Sequence, residues 1–558
     1  MRAEPVSLPD ELRPPCSEVV DPSRRRRWLY WTLAAVAWCV LVLLLDLAAM
    51  HAAPYPTSDQ ASVVLEGQSL AHGNVLLHRW SLSLDSFWTS EVPFYGVASL
   101  LVGLNRLQLT LVPAVIGACV VGAGVLIGSH GRRLAGGVVA GATVVVVLGL
   151  PVHALARFML VGGAHVGALL WALIAFYALR NGRWGVGIVV AACSLALGML
   201  GDLLTLAYGT APVLVAGVFA MLRCRSVRTG LPAVTAAAGA CLLALAIRAL
   251  ATVIGTFSIG GANALATLHQ AESNLRHVYS LGGSLLGART AAYGTGGAPA
   301  WLSGTHLVAA VVIVLAALLY LVRLVAGLAG GQAGAGGRPD RCPSAWWQPE
   351  PAAWTLDDML FAGVIAGTGS YVALSTTSNL AFARYLTAAV VFAVVLAARA
   401  AGRAWDDCDG TRVRTAFAVA GAALIASFAA GFGYTVSARV PPQPAVAFAG
   451  WLEAHHLTNG VGAYWASNIV TVSSGDDVRV RPVKAIGGKL RRYGRESTGA
   501  WYSGEQFTFV VYNRGQPTGG VSSKTATAAC GPLAETDAVD GYVVYVCVHP
   551  FTISPTPS

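Results

Sequence analysis

Long apolar runs broken by short polar turns fill most of the chain, and that alternation speaks before any single motif does. Runs of about 17 to 25 residues recur, each long enough to cross roughly 30 Å of hydrocarbon as a helix. Spans are expected over 28–50, 109–128, 134–150, 157–179, 184–201, 205–222, 231–257, 304–328, 357–375, 384–400 and 415–437. One apolar stretch, EVPFYGVASLLVGL from Glu91 to Leu104, is too short to span. Counting it as a span would also invert every later loop, so it is read as a re-entrant or membrane-surface helix.

Two further segments depart from the spanning pattern. In ALATLHQAESNLRHVYSLGGSLL, inside the 258–303 connection, Leu265, Leu268, Leu275 and Val278 recur near helical spacing. Glu272 stands four residues before Arg276 there, so an amphipathic helix lying along the membrane is expected. After residue 440 the period changes. AVAFAGWLEAHH reads as an amphipathic helix, whereas GVGAYW, DVRVRPV, FTFVVYN and YVVYVCV read as strands.

The expected fold is therefore mainly α: a polytopic transmembrane helical bundle of about eleven spans plus one short re-entrant or interfacial helix, with a small exterior α/β C-terminal domain. Its parts are a cytoplasmic tail (1–27), a membrane module (28–328) with exterior loops 51–95 and 258–303, a Gly- and Pro-rich cytoplasmic linker (329–356), C-terminal transmembrane helices (357–439) and the exterior domain (440–558).

Composition sharpens this. With 55% hydrophobic and 11% charged residues among 558, and a mean hydropathy of +0.61, too little polar surface exists for a soluble enzyme. The net charge of +10 does not point to nucleic acid, because Lys and Arg gather in turns between spans. Arg24 to Arg27, GSHGRR, RNGRWG, RCRSVR and RAAGRAWDDCDGTRVR all fall on one side in this topology. That side is cytoplasmic, which puts the amino end inside, the carboxyl end outside, and the protein in the plasma membrane. Residues 1–23 are polar and Pro-rich and carry no secretory pattern. Of ten cysteines only Cys530 and Cys547 fall together. In an exterior domain they would form a disulfide, the alternative being two buried free thiols. No P-loop, nucleophile elbow, HExxH or dinucleotide fingerprint occurs.

Candidate chemistry concentrates in the first exterior loop, where Asp59, Glu66, Asp85 and Glu91 stand in a chain otherwise poor in charge. Asp59 lies soon after the first span, so its carboxylate stays near the membrane face and suits a general base or a cation ligand; the alternative is an N-cap, Ser58 or Asp59, on a helix with Glu66 on its solvated side. Glu91 enters an apolar element, where a carboxylate is costly unless it is paired or functional. Arg157, Arg276, Arg289 and Arg384 fall toward the exterior, against the basic trend, with His153 nearby. A guanidinium there matches phosphate oxygens, whether of a ligand or of lipid headgroups. Asp202 stands at an exterior turn, as a helix cap or a supporting site residue.

One span, a long exterior loop with an early acid (SDQ, 58–60), a later acid-x-Pro-aromatic step (EVPFY), many spans and an exterior C-terminal domain together resemble the GT-C superfamily, most of all its Ala/Gly/Val-rich actinobacterial members. These integral membrane glycosyltransferases use polyprenyl-phosphate sugars, like protein O-mannosyltransferases and lipid A aminoarabinose transferases. Where such proteins carry Asp-Glu and His-Pro-Pro-Leu, this chain has Asp59-Gln60 and Glu91-Val92-Pro93-Phe94. The resemblance implies inverting transfer of a sugar from a polyprenyl-phosphate donor to a hydroxyl of a cell-envelope glycan, lipid or protein. Asp59 would be the base, Glu91 a second acid, and Arg157 and Arg384, with Arg276 or Arg289, the phosphate grip. A divalent cation is left open as cofactor. Two other readings compete: a glycan-binding scaffold without catalysis, and a transporter of lipid-linked glycan.

Overall fold

The computed structural model describes residues 22–53, 55–181, 184–260, 265–289, 297–329, 354–375, 380–440 and 442–556. Most of the expected linker at 329–356 and most of the tail at 1–27 lie outside them. Helix α1 (Pro22–Ala52) leads into the first long connection, which holds α2 (Ser58–Ala71), strand β1 (Trp80–Leu82) and α3 (Val92–Val102). Then follow α4 (Gln108–Ser129), α5 (Leu134–Gly149), α6 (His153–Met159), α7 (Val166–Ala178), α8 (Val186–Gly201), a π-turn (Leu206–Thr210) entering α9 (Ala211–Cys224), and α10 (Val227–Ile254). The second long connection carries β2 (Ser258–Ile259) and α11 (Leu268–Leu285). Helices α12 (Ala300–Ala329) and α13 (Trp354–Ala373), a 3-10 turn (Leu380–Leu386), α14 (Thr387–Asp407) and α15 (Thr411–Ser437) complete the bundle.

Among the described residues seven helices are long and apolar enough to cross a membrane: α1, α4, the π-turn with α9, α10, α12, α14 with its 3-10 lead, and α15. Helix α5 reaches that length only together with α6, from which it is bent by 86°, while α7 and α8 are shorter apolar helices. Large side chains such as Leu43, Leu242, Val253 and Val308 stand exposed on the bundle, as expected of a surface facing lipid. The protein is thus a multi-pass membrane protein, mainly helical, with a small sheet domain at its carboxyl end.

The single span expected over 157–179 is broken. Residues 160–165, LVGGAH, leave the helix because Gly163 (φ 71°) and His165 (φ 66°) both take left-handed backbone. A hydropathy run does not register such a break, since Gly and Val count as apolar wherever the backbone turns. Helix α3 is too short to span, and Val97, Leu100 and Leu101 are exposed along it. It crosses α2 closely: a Cβ on Gly67 would fall 2.7 Å from the Tyr95 carbonyl carbon. In α11, Leu268, Leu275 and Tyr279 form an exposed apolar stripe, while Asn274 turns inward and donates to Val372 O and Leu374 O on the α13 end (3.1 and 2.9 Å).

The C-terminal domain comprises α16 (Pro444–Ala454), β3 (Asn459–Ala463), α17 (Asn468–Ser473), β4 (Arg479–Ile486), β5 (Lys489–Arg492), β6 (Ser497–Thr498), β7 (Phe507–Asn513), α18 (Ser523–Cys530), β8 (Leu533–Val539) and β9 (Tyr542–Phe551). Its mixed sheet runs β5-β4-β3-β7-β9-β8, with β3 parallel to β4 and β7 and the other pairs antiparallel. Alternate side chains serve opposite faces. Tyr542 and Val544 join the core shared with the bundle, whereas Val543, Tyr545 and Cys547 join a second core under α18. Cys547 is disulfide-bonded to Cys530 there, Cα to Cα 5.8 Å.

A three-stranded sheet, β2-β1-β6, ties this domain to both long connections. Buried Arg492 locks it, donating to Ser81 Oγ (3.0 Å), Arg79 O (3.3 Å), Ser497 O (2.7 Å) and Pro555 O (2.9 Å). The far end of the bundle is closed by another buried set, in which Arg399 and Arg403 pair with Asp357 (2.5 and 2.6 Å) and Arg223 pairs with Asp358 (2.7 Å). Arg492→Ala should strand several buried acceptors and cost about 3 kcal/mol. Thermal unfolding and limited proteolysis of the detergent-solubilised protein would register this as early release of residues 440–558.

Candidate active site

A cavity of about 410 Å³ opens where the first connection, the α6–α7 break, the 3-10 turn and the C-terminal domain meet. Asp59, Asp85, His165, Arg384, Tyr464, Tyr493, Arg495 and Glu496 line it. Asp59 stands in the first turn of α2, whose N-cap is Thr57, one residue before Ser58 and two before Asp59, the two expected caps. The Thr57 N–H donates to Gln60 Oε1 at 2.7 Å, so the turn is secured without Asp59 and its carboxylate is left to the cavity. Tyr464, on the turn after β3, donates its phenol to Asp59 Oδ1 at 2.6 Å. Ser62 and Asn468 support that contact, Asn468 Nδ2 donating to Ser62 Oγ at 2.8 Å with Ser62 Oγ 3.4 Å from the phenol oxygen. Burial raises the Asp59 pKa, and the Tyr464 hydrogen bond and the Arg384 charge partly restrain the rise. A carboxylate held in that balance takes up a proton more readily than a solvated one.

Arg384 belongs to the 3-10 turn ahead of α14. Its guanidinium carbon stands 5.1 Å from the Tyr385 ring centroid, and it forms no ion pair among the described residues. Its Nε is buried without a hydrogen-bond partner. A half-buried guanidinium without a carboxylate partner is a ready receptor for an anion.

His165, Asp202 and Asp85 meet at one wall. His165 Nδ1 is 2.8 Å from Asp202 Oδ2, and the ring lies between Phe87 and Tyr385, with centroids 5.6 and 5.0 Å away. Burial opposes charge on His165, but the Asp202 carboxylate, its hydrogen bond and Asp85 outweigh that and raise the imidazole pKa. Burial, and then the Asp202 charge, push Asp85 up to about 6. With one ligand atom from each, these three side chains converge within 4.8 Å, the described group best able to hold a metal ion.

The other sequence candidates fall elsewhere. Glu91 is fully buried behind the cavity wall, where it accepts the Gly163 and Gly167 N–H groups at 2.8 and 3.4 Å and so clamps the broken α6–α7 connection. Burial pushes it up to about 7, against those two hydrogen bonds. Arg157 is exposed on α6, close to the Phe158 ring, with His153 half-buried near it. Arg276 is paired with Glu272 on the outer face of α11, and Arg289 is exposed after that helix. None of these lines the cavity. Glu66, expected on a solvated side, is instead 1% exposed, because α2 is covered by α3 on one flank and by the C-terminal domain on the other. Its oxygens meet no donor among the described residues, and they face the Glu496 carboxyl, which Ser83 N–H holds at 2.9 Å. Asp85, another acid of the first long connection, is on the cavity wall.

The site residues not anticipated are His165, Tyr464, Tyr493, Arg495 and Glu496. For His165 a signal existed, a His after paired glycines inside an apolar run. For the four in the C-terminal domain none did.

With this geometry in view, the fold is a GT-C-like one: a polytopic helical bundle whose first long connection and carboxyl-terminal domain enclose a polar cavity. Two solved structures share it. ArnT from Cupriavidus metallidurans in the apo state aligns with a TM-score of 0.53 at 12% identity, over 92% of this chain and 98% of that one. ArnT from the same organism bound to undecaprenyl phosphate aligns with a TM-score of 0.51 at 10% identity over the same shares. No protein-family model and no curated protein sequence matches the chain.

Burial, and then the facing Glu496 charge, hold the Glu66 pKa well above its ordinary value, and burial raises Glu496 as well. An acid whose pKa is raised on folding stabilises the fold at low pH and penalises it as pH rises from the ordinary carboxylate range through the raised value. Thermal stability of the parent should therefore fall as pH rises from the ordinary carboxylate range, about pH 4–5, toward the raised values. In Glu66→Gln, which donates an amide hydrogen to Glu496, that fall should flatten; an unchanged pH profile would remove the buried pair as its cause.

Proposed function

We propose that the protein is a membrane glycosyltransferase that moves a sugar from a polyprenyl-phosphate donor to a hydroxyl of a cell-envelope acceptor, with inversion at the anomeric carbon. The observation that carries this reading is the presence of Asp59, held by Tyr464, and of Arg384, which has no ion pair among the described residues, in one cavity at the junction of apolar helices and a polar domain. A donor with a lipid tail and a phosphate head needs that junction: hydrocarbon for the tail, a cation for the phosphate, and an open polar side for the acceptor. The neighbouring fold of ArnT, solved with undecaprenyl phosphate, supports the same donor class.

In the proposed reaction the acceptor oxygen attacks the anomeric carbon, the bond from that carbon to the phosphate oxygen breaks, and polyprenyl phosphate departs on the opposite face. The acceptor proton goes to Asp59 as the new bond forms. Arg384 pairs with the charge gathering on the leaving phosphate, and Arg495 on the facing wall adds to the field. Tyr464 donates to the ionised Asp59, keeping it a base and aiming its free oxygen into the cavity. The orientation that serves this chemistry has the amino end in the cytoplasm and the C-terminal domain outside, over the acceptor, in the plasma membrane.

Assays in membranes with a radiolabelled polyprenyl-phosphate sugar and cell-envelope acceptors test the reading. Asp59→Asn should lower transfer by about 100-fold or more, and Arg384→Ala by about 100-fold. Undiminished transfer by Asp59→Asn would overturn the base assignment, and an inactive wild type across donors would overturn the transferase. Tyr464→Phe removes the hydrogen bond that lowers the Asp59 pKa, so the acid limb of its pH–rate profile should move to higher pH, with the plateau less affected.

A further inference from the structure

We propose that Asp85, His165 and Asp202 form a binding site for one divalent ion of the zinc or manganese class, open on one side to the cavity. The three residues come from separate parts of the chain: the connection after β1, the break between α6 and α7, and the C-cap of α8. One ligand atom from each lies within 4.8 Å of the other two. Metal bonds of about 2.0–2.2 Å to nitrogen and oxygen place neighbouring ligand atoms roughly 3 Å apart. The 2.8 Å separation of His165 Nδ1 and Asp202 Oδ2 is already close to that spacing.

The surroundings are those of a built site. Asp202 and His165 are almost completely buried, with side chains 0% and 3% exposed. The Leu204 N–H fixes the other oxygen of Asp202, Oδ1, at 2.9 Å, so Oδ2 is aimed at the imidazole. Phe87 and Tyr385 hold the ring from two sides. Outer contacts of this kind orient metal ligands. Asp85 supplies an independent observation. Its carboxylate is turned toward the buried Asp202 and makes no hydrogen bond among the described residues, and no Lys or Arg there pairs with either acid. With the imidazole neutral, as a metal ligand must be, the two carboxylates supply two negative charges for a dication, beside the Arg384 guanidinium whose field reaches both Asp85 and His165.

The donor set selects the ion. An imidazole nitrogen beside two carboxylates suits zinc or manganese better than calcium or magnesium, which take oxygen ligands. Asp85 and His165 line the cavity while Asp202 stands behind them, so the remaining coordination positions face the space in which an oxygen ligand, from water, a hydroxyl or a phosphate, would sit. The site stands apart from the transferase reading, since binding of the ion alone can be measured.

Full-length protein purified in detergent, stripped with chelator and desalted, is titrated with Zn²⁺ alone, with calorimetry for affinity and elemental analysis for stoichiometry. The expectation is one Zn²⁺ per chain, with affinity lowered by about tenfold or more in His165→Ala and in Asp202→Asn. Asp85→Asn keeps size and loses no hydrogen bond, so it should fold as the parent does and still lose affinity. Asp59→Asn, in the same cavity but outside the ligand set, should keep the parent stoichiometry and affinity. Failure to take up one ion per chain, or unchanged affinity in Asp85→Asn, would overturn the proposal.

Discussion

The site depends on one mechanical constraint, the docking of residues 440–558 onto the first long connection. Three short strands and one buried arginine impose it. The strand β1 pairs with β2 on one side and β6 on the other, and Arg492 donates to the acceptors that so small a sheet would otherwise leave unmet. Strands this short have little stability of their own. Their position follows from the guanidinium, which gathers carbonyls from both partners, so Asp59 acquires Tyr464 only when the domain is seated.

From that docking comes the unusual density of acid around the cavity. Asp59, Asp85 and Glu496 line it, and Glu66, Glu91 and Asp202 lie behind its walls. Carboxylates in so dry a place are costly unless held. Each solution differs: Glu91 takes backbone N–H groups, Asp202 takes His165, and Glu66 is pressed toward its neutral form against Glu496. Arg384 forms no ion pair among the described residues, although its charge is felt at Asp59 and Asp85.

The far end of the bundle is organised on the opposite principle. Arg399, Arg403 and Arg223 are there matched with Asp357 and Asp358 inside the helices, a closed set that fixes how α9, α13 and α14 meet. Arginines are matched with carboxylates at that end, whereas Arg384 at the cavity forms no ion pair among the described residues.

By itself the sequence determined the apolar helices, the shortness of the apolar stretch at 91–104, the helical periodicity of 268–285 and the strands of the last domain. These follow from local periodicity and from the cost of exposing apolar surface, which neighbours along the chain decide. The tertiary structure alone decided that Glu91 is a clamp, that Glu66 is buried, that Arg157, Arg276 and Arg289 stand apart from the cavity, and that His165, Tyr464 and Glu496 belong to it. Tyr464 meets Asp59 across 405 residues of sequence. No local pattern encodes such a contact, because it arises from the register in which β6 meets β1, and that register is set only once the helices have brought both to the same end of the bundle.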